Sequence, residues 1–250
     1  METICGIHAV REALQSGRRP IEHVHLQQGL RNPRIVELTQ KVRELGVPIR
    51  LEPAAALDRL ARGAHHQGIV AVVGGHSYAS LEEILERKPE HALLLVLDGV
   101  QDTHNLGALI RTACAAGANA VVIPERRSVG LTPVVVQAAS GALEHLPVVR
   151  VGNLATALEE LKERGFWIFG LDERGEKTYD EVDYRGHCAV VAGGEQKGLS
   201  QLLKKTCDFL VRIPAVGKIS TLNVSVAAGI VLFEAARQRR NLDCTGQASR

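Results

Sequence analysis

The chain has 250 residues, of which 45% are apolar and 3% aromatic, and a formal charge of +2. That apolar content excludes wholesale disorder, so few aromatics exclude a surface that reads single strands by stacking, and near-neutrality confines any nucleic-acid contact to a local patch. Five cysteines with no C-x-x-C spacing argue against a disulfide framework or a zinc site; they predict reduced thiols, no bound metal and a cytoplasmic protein.

The first residues lack the basic-then-apolar pattern of a signal peptide, and no apolar run approaches a membrane span. Gly6 to Leu14 has apolar residues at helical spacing, and Glu22 to Leu26 alternates as a half-buried strand does. Asn32-Pro33 starts a helix expected to stop at Gly46. A strand at Val47 to Leu51, a short helix at Ala54 to Leu60 and a strand at Gly68 to Val73 complete a small α/β domain over 1–75. A polar connector with one short helix, Leu81 to Arg87, follows over 76–91. The small domain carries His8, Arg11, Arg18, Arg19, His23, Arg31, Arg34, His65 and His66, a set able to meet phosphates or simply to be solvated.

From residue 92 to 238 strands and helices alternate, which predicts a parallel sheet flanked by helices. Leu93 to Leu97 is a continuous apolar strand that ends in a polar loop, Asp98 to Asn105, before a helix from Leu106 to Ala116. Strands at Ala120 to Ile123, Leu146 to Val151, Phe166 to Leu171, Ala189 to Ala192 and Phe209 to Ile213 alternate with helices at Pro133 to Ala139, at Leu154 to Glu163 and from Leu199. A long helix spans Leu222 to Arg237, capped by Ser220 or Thr221 and with Asn223 in its first turn, and 239–250 is read as a flexible tail.

Chemistry in α/β proteins concentrates where strands end and helices begin. Three such turns stand out. The first offers Asn105 and, on the helix behind it, Arg111, whose permanent charge needs an anion, carbonyls, or a salt bridge to Asp98 or Asp102. The second, Gly193 to Gly198, is glycine-rich and holds Glu195, but it is neither a P-loop nor a dinucleotide fingerprint. The third runs from Ile213-Pro214 to Ser225. Hydrolase signatures such as G-x-S-x-G and H-E-x-x-H are absent from the sequence.

The stretches Leu97 to Ala113, Val191 to Ser200 and Ile213 to Ser225, in this order, resemble the SpoU (TrmH-like) family of RNA 2′-O-ribose methyltransferases in the SPOUT superfamily. The small domain is similar to the L30e-like substrate-binding domain of some members, above all those that methylate a guanosine in the P loop of 23S rRNA. The resemblance implies an α/β parallel sheet with a C-terminal deep trefoil knot, S-adenosylmethionine as cofactor, RNA as partner and a homodimer with its active site near the subunit interface. It implies catalytic roles for Asn105, Arg111, Glu195 and Asn223, and cofactor contacts at Gly193, Ile213, Thr221 and Leu222. In the reaction so implied, Arg111 stabilises oxyanion charge, Asn105 and Asn223 position the ribose and Arg111, and Glu195 holds the guanidinium fork. Thr103, Gln196 and Thr221 depart from the usual Pro, Gly and Ser, which predicts a looser first turn and an active enzyme. A tRNA-directed enzyme, a non-catalytic ribosome-assembly factor and a nucleotide-cofactor enzyme are the alternatives.

Overall fold

A computed structural model describes residues 2–246 except 18, 31, 196, 219 and 220, and for residues 2 and 241–246 the backbone only. The chain divides into two compact units, Met1–Ser77 and Tyr78–Arg250.

The first unit holds β1 (Glu2–Cys5), α1 (Ile7–Ser16), β2 (Ile21–Gln27), α2 (Pro33–Glu44), β3 (Ile49–Glu52), α3 (Ala54–Ala61) and β4 (Ile69–Val73). Its sheet has the order β1-β4-β2-β3, antiparallel except for the β2–β3 pair. Asn32 caps α2 by accepting from the Arg34 N–H, and Pro33 occupies the first helical position, where its missing donor costs nothing. Val10, Val24, Leu38, Val42 and Ile69 form the core. Strand β1 was not foreseen: four residues carry little periodicity, and pairing with β4 is what makes them a strand.

The second unit holds α4 (Leu81–Glu86), β5 (Leu93–Asp98), α5 (Thr103–Ala115), β6 (Ala120–Pro124), α6 (Pro133–Ala139), β7 (Val148–Val151), α7 (Leu154–Glu163), β8 (Trp167–Leu171), β9 (Lys177–Thr178), β10 (Cys188–Gly193), α8 (Gln201–Thr206), β11 (Phe209–Arg212) and α9 (Val224–Gly246). The sheet order is β7-β6-β5-β10-β8-β11-β9, with every pair parallel. Both faces are covered, as the unbroken apolar strands predict. One core layer joins the sheet to α5, α6 and α9, the other to α4, α7 and α8. Strand order reverses around β5 and β10, whose register sets Gly193 beside Asp98. The first two turns are therefore neighbours at the carboxyl edge, where such sheets bind ligands.

Three expectations need correction. The connector expected at 76–91 belongs to the second unit from Tyr78 on: Leu81 and Leu85 of α4 are buried in its core, and a Ser80–Glu83 capping box starts the helix. No tail begins at Arg239, because α9 continues to Gly246. Arg239 itself ties that helix down, donating to the carbonyls of Tyr184, Ala92 and Gly186 at 3.0, 3.1 and 2.9 Å. The helix after β5 starts at Thr103, three residues before Leu106, because Asp102 Oδ1 accepts from the Asn105 N–H at 2.7 Å. Thr103 thus sits at the first helical position, inside an ordered turn.

Candidate active site

The four residues expected to hold the cofactor, Gly193, Ile213, Thr221 and Leu222, line one cleft of about 500 Å³. The volume falls within the roughly 300–1,000 Å³ of small-molecule sites. Ala192, Val211, Val224 and Ala227 add apolar wall, and Asp172, Glu173 and Glu195 add carboxylates. Asp172 is paired with Lys204, and it also accepts from the Arg174 N–H at 2.9 Å. Burial resists ionisation of Asp172, but these bonds outweigh it and hold the carboxyl below the usual carboxylate range. Arg174, Lys197 and Lys204 line it too, so the cleft offers charged groups of both signs beside aliphatic side chains.

The glycines of the second turn are required by backbone crossing. A Cβ on Gly193 would lie 2.0 Å from the Gly198 carbonyl carbon, and one on Gly194 would lie 2.5 Å from the Gly99 carbonyl oxygen. The Gly194 N–H also donates to the Asp98 carbonyl at 2.8 Å, and the Ser200 N–H to Asp98 Oδ2 at 2.9 Å. The glycine turn is so pressed against the first turn that no side chain fits between them.

Glu195 projects from this turn and accepts from Asn105 Nδ2 at 2.8 Å. Asn105 Oδ1 in turn accepts from Asn223 Nδ2 at 3.0 Å. Asn223 Oδ1 accepts from the Ser225 N–H at 2.8 Å and from Ser225 Oγ at 2.6 Å. The direction of the chain follows from its ends: a carboxylate only accepts and a backbone N–H only donates, so each amide has one consistent orientation. Asn223 is thus the cap of α9, in place of Thr221, while Ser220 lies outside the described residues. One network joins all three turns.

Arg111 does not join it. Asn105 and Arg111 are six residues apart on α5, about 120° around the helix axis. The guanidinium is exposed and donates through Nη1 to Ser140 Oγ at 3.3 Å. Glu195 does not hold the Arg111 fork, and Asp98 and Asp102 are engaged with N–H groups at 200 and 105. The expected Arg111–Glu195 contact fails because a straight helix cannot present both α5 residues to one point. Gln101, whose N–H lies 3.5 Å from Glu195 Oε2, and Ser225 belong to the site and were not foreseen. Their position beside predicted residues was the available signal. Gln196 lies outside the described residues.

In the first unit His8 and Arg34 line a small cleft of about 290 Å³ with Asn32 and Gln67. Other members of the basic set are engaged: Arg19 donates to the Gly74 carbonyl at 3.0 Å, Arg11 lies 3.9 Å from Glu37, and His66 bonds Asp58 at 3.0 Å. Arg18 and Arg31 lie outside the described residues.

Residues 92–233 match the SpoU rRNA Methylase family, and residues 3–79 match the RNA 2′-O ribose methyltransferase substrate binding family. The chain belongs to the SpoU methylase family. A Staphylococcus aureus protein (strain MSSA476) assigned to the TrmH family of tRNA/rRNA methyltransferases is 40% identical over 242 residues, 96% of this chain and 97% of that protein. YacO of Bacillus subtilis (strain 168), assigned likewise, is 42% identical over 241 residues, 94% and 95% of the two chains. The crystal structure of the SpoU methyltransferase AviRb from Streptomyces viridochromogenes, in complex with the cofactor AdoMet, superposes with a TM-score of 0.79 at 26% identity, covering 96% of this chain and 90% of that one. This SpoU protein is an RNA methyltransferase, and S-adenosylmethionine is its cofactor. Among the described residues no helix is long and apolar enough to cross a membrane.

Proposed function

We propose that this SpoU enzyme methylates the ribose 2′-hydroxyl of a guanosine in the P loop of 23S rRNA, in the cytoplasm. The observation that carries the site is the Asn223–Asn105–Glu195 chain at the lip of the cleft formed by Gly193, Ile213, Thr221 and Leu222. S-adenosylmethionine, held by those four residues, supplies an electrophilic methyl on a sulfonium. Each amide in the chain keeps a second N–H, so Asn105 and Asn223 hold the ribose oxygens and orient the 2′-oxygen for in-line attack. The first unit, which matches an RNA methyltransferase substrate-binding family, supports an RNA target, and the rRNA reading is supported by the match of residues 92–233 to the SpoU rRNA Methylase family. A tRNA target is the second reading, favoured by the tRNA/rRNA wording carried by the relatives. We also take 193–225 to form the deep trefoil knot.

Arg111 needs a different setting from its own chain's network. Val226 and Phe233, seven residues apart on α9 and 50% and 51% exposed, leave an apolar stripe on the helix that packs against α5. We assign this stripe to a homodimer interface and Arg111 to the partner's site. There the guanidinium, a permanent cation, stabilises charge on the attacking oxygen.

Mapping 2′-O-methyl sites in rRNA and tRNA from cells lacking the gene tests the target: loss of one 23S rRNA methyl supports it, and loss of a tRNA methyl supports the second reading. Mixing Arg111→Ala with Glu195→Ala protein tests the shared site. Restored activity is expected from the mixed dimer, and none if Arg111 serves its own chain.

A further inference from the structure

A second cleft, of about 1130 Å³, shares Gly194, Glu195, Lys197 and Gly198 with the first. Its walls carry Asp98, Asp102 and Glu195, and also Arg126, Arg127 and Lys197. The acids are occupied, each accepting from an N–H group within 2.9 Å. Arg126, Arg127 and Lys197 are exposed and have no hydrogen-bond or ion-pair partner among the described residues. Elsewhere in this unit Arg185, Arg212, Arg237 and Arg239 are all bonded. The side chains left free to meet a ligand in this cleft are therefore the basic ones.

The arginine loop is also held in place. The Val129 N–H donates to the Val100 carbonyl at 3.0 Å, and Ser128 Oγ donates to the same oxygen at 3.2 Å. Arg127 adopts φ 61, left-handed for a residue with a side chain. Such a conformation costs of order 1 kcal/mol or more and persists where neighbours enforce it. These bonds tie the loop to the turn that carries Asn105, so the backbone that bears Arg126 and Arg127 has a fixed relation to the amide chain. The N-terminal end of α7, at Gly152 to Ala155, lines the same cleft and adds a partial positive charge.

We propose that Arg126 and Arg127, with Lys197 on the glycine turn, clamp the RNA phosphates that flank the acceptor ribose. A ribose within a strand has a phosphodiester on each side, so a site that takes a 2′-hydroxyl must also accommodate those charges. The inference rests on the RNA reading above and adds the residues that set the strand's register.

The test is nitrocellulose-filter binding of an unmodified 23S rRNA transcript across a salt series. It compares the wild type, the double variant R126A/R127A and the variant K205A, whose lysine is exposed on α8 and lines neither cleft. The double variant is expected to bind roughly tenfold or more weakly at low salt. Its slope of log affinity against log salt is expected to be shallower by about 0.7 per arginine, the single-strand value. Its S-adenosylmethionine affinity should stay at the wild-type value. An unchanged slope, an equal effect of K205A, or a parallel loss of S-adenosylmethionine binding overturns the proposal. Because the slope is read from binding, failure of the wild type to transfer methyl counts against the proposed target and not against the clamp.

Discussion

Asn223 donates its side-chain amide to Asn105 Oδ1 at 3.0 Å, although 118 positions separate the two residues. The same Asn223 caps α9 through its oxygen, so one side chain starts a helix and orders the amide that we propose holds the ribose.

The two roles can be separated. Aspartate caps helices about as well as asparagine, but it has no N–H to give Asn105. N223D should fold with its cap intact yet transfer methyl at least about a hundredfold more slowly, as expected when a polar group that orients the reacting atoms is lost. N223A loses the cap as well and should be about 1 kcal/mol less stable than N223D. Thermal unfolding and single-turnover rates measure both; N223D turning over at the wild-type rate would remove Asn105–Asn223 from the mechanism.

The glycine turn should tolerate no side chain. In G194A the new methyl meets the Gly99 carbonyl at 2.5 Å, and in G193A it meets the Gly198 backbone at 2.0 Å. Neither obstacle is a flexible side chain, so the turns must separate, at about 1–3 kcal/mol of stability. Separation opens the wall shared by the two clefts. Calorimetry should find S-adenosylmethionine binding weakened at least tenfold in both variants, while G152A, where a Cβ meets nothing within 4 Å, should bind normally.

Asp172 and Lys204 give a pH signature. The folded state holds the Asp172 carboxyl below its unfolded value, so its contribution is complete above the unfolded pKa of about 3.9 and is lost as pH falls through the lower folded value. D172N leaves Lys204 without its partner at the edge of the cofactor cleft and should cost about 1–3 kcal/mol at pH 7. The gap between variant and wild type should start to narrow as pH falls below about 4. Urea unfolding at pH 7 and at a series of lower values checks this; a gap that does not narrow as pH falls would mean that Asp172 acts through packing.

The sequence by itself determined the alternation of strands and helices in both units, the helix over Leu154–Glu163 to the residue, and the three turns that one hydrogen-bond network joins. These were legible because apolar periodicity, capping residues and glycines act over a few positions. Lys177–Thr178 was missed because two residues have no period; its pairing with β11 alone makes it β9. The purpose of Gly193 and Gly194 was also hidden, since the backbone they must admit comes from Gly99 and Gly198. Only the tertiary structure decided that Asn223 caps and bonds Asn105 while Arg111 turns away to Ser140. A motif gives the residues and their order, but the direction of a side chain depends on helix phase and on which strand ends the sheet places side by side. In this sheet that pairing is β5 with β10, strands that the chain separates by a full excursion through β6, β7, β8 and β9.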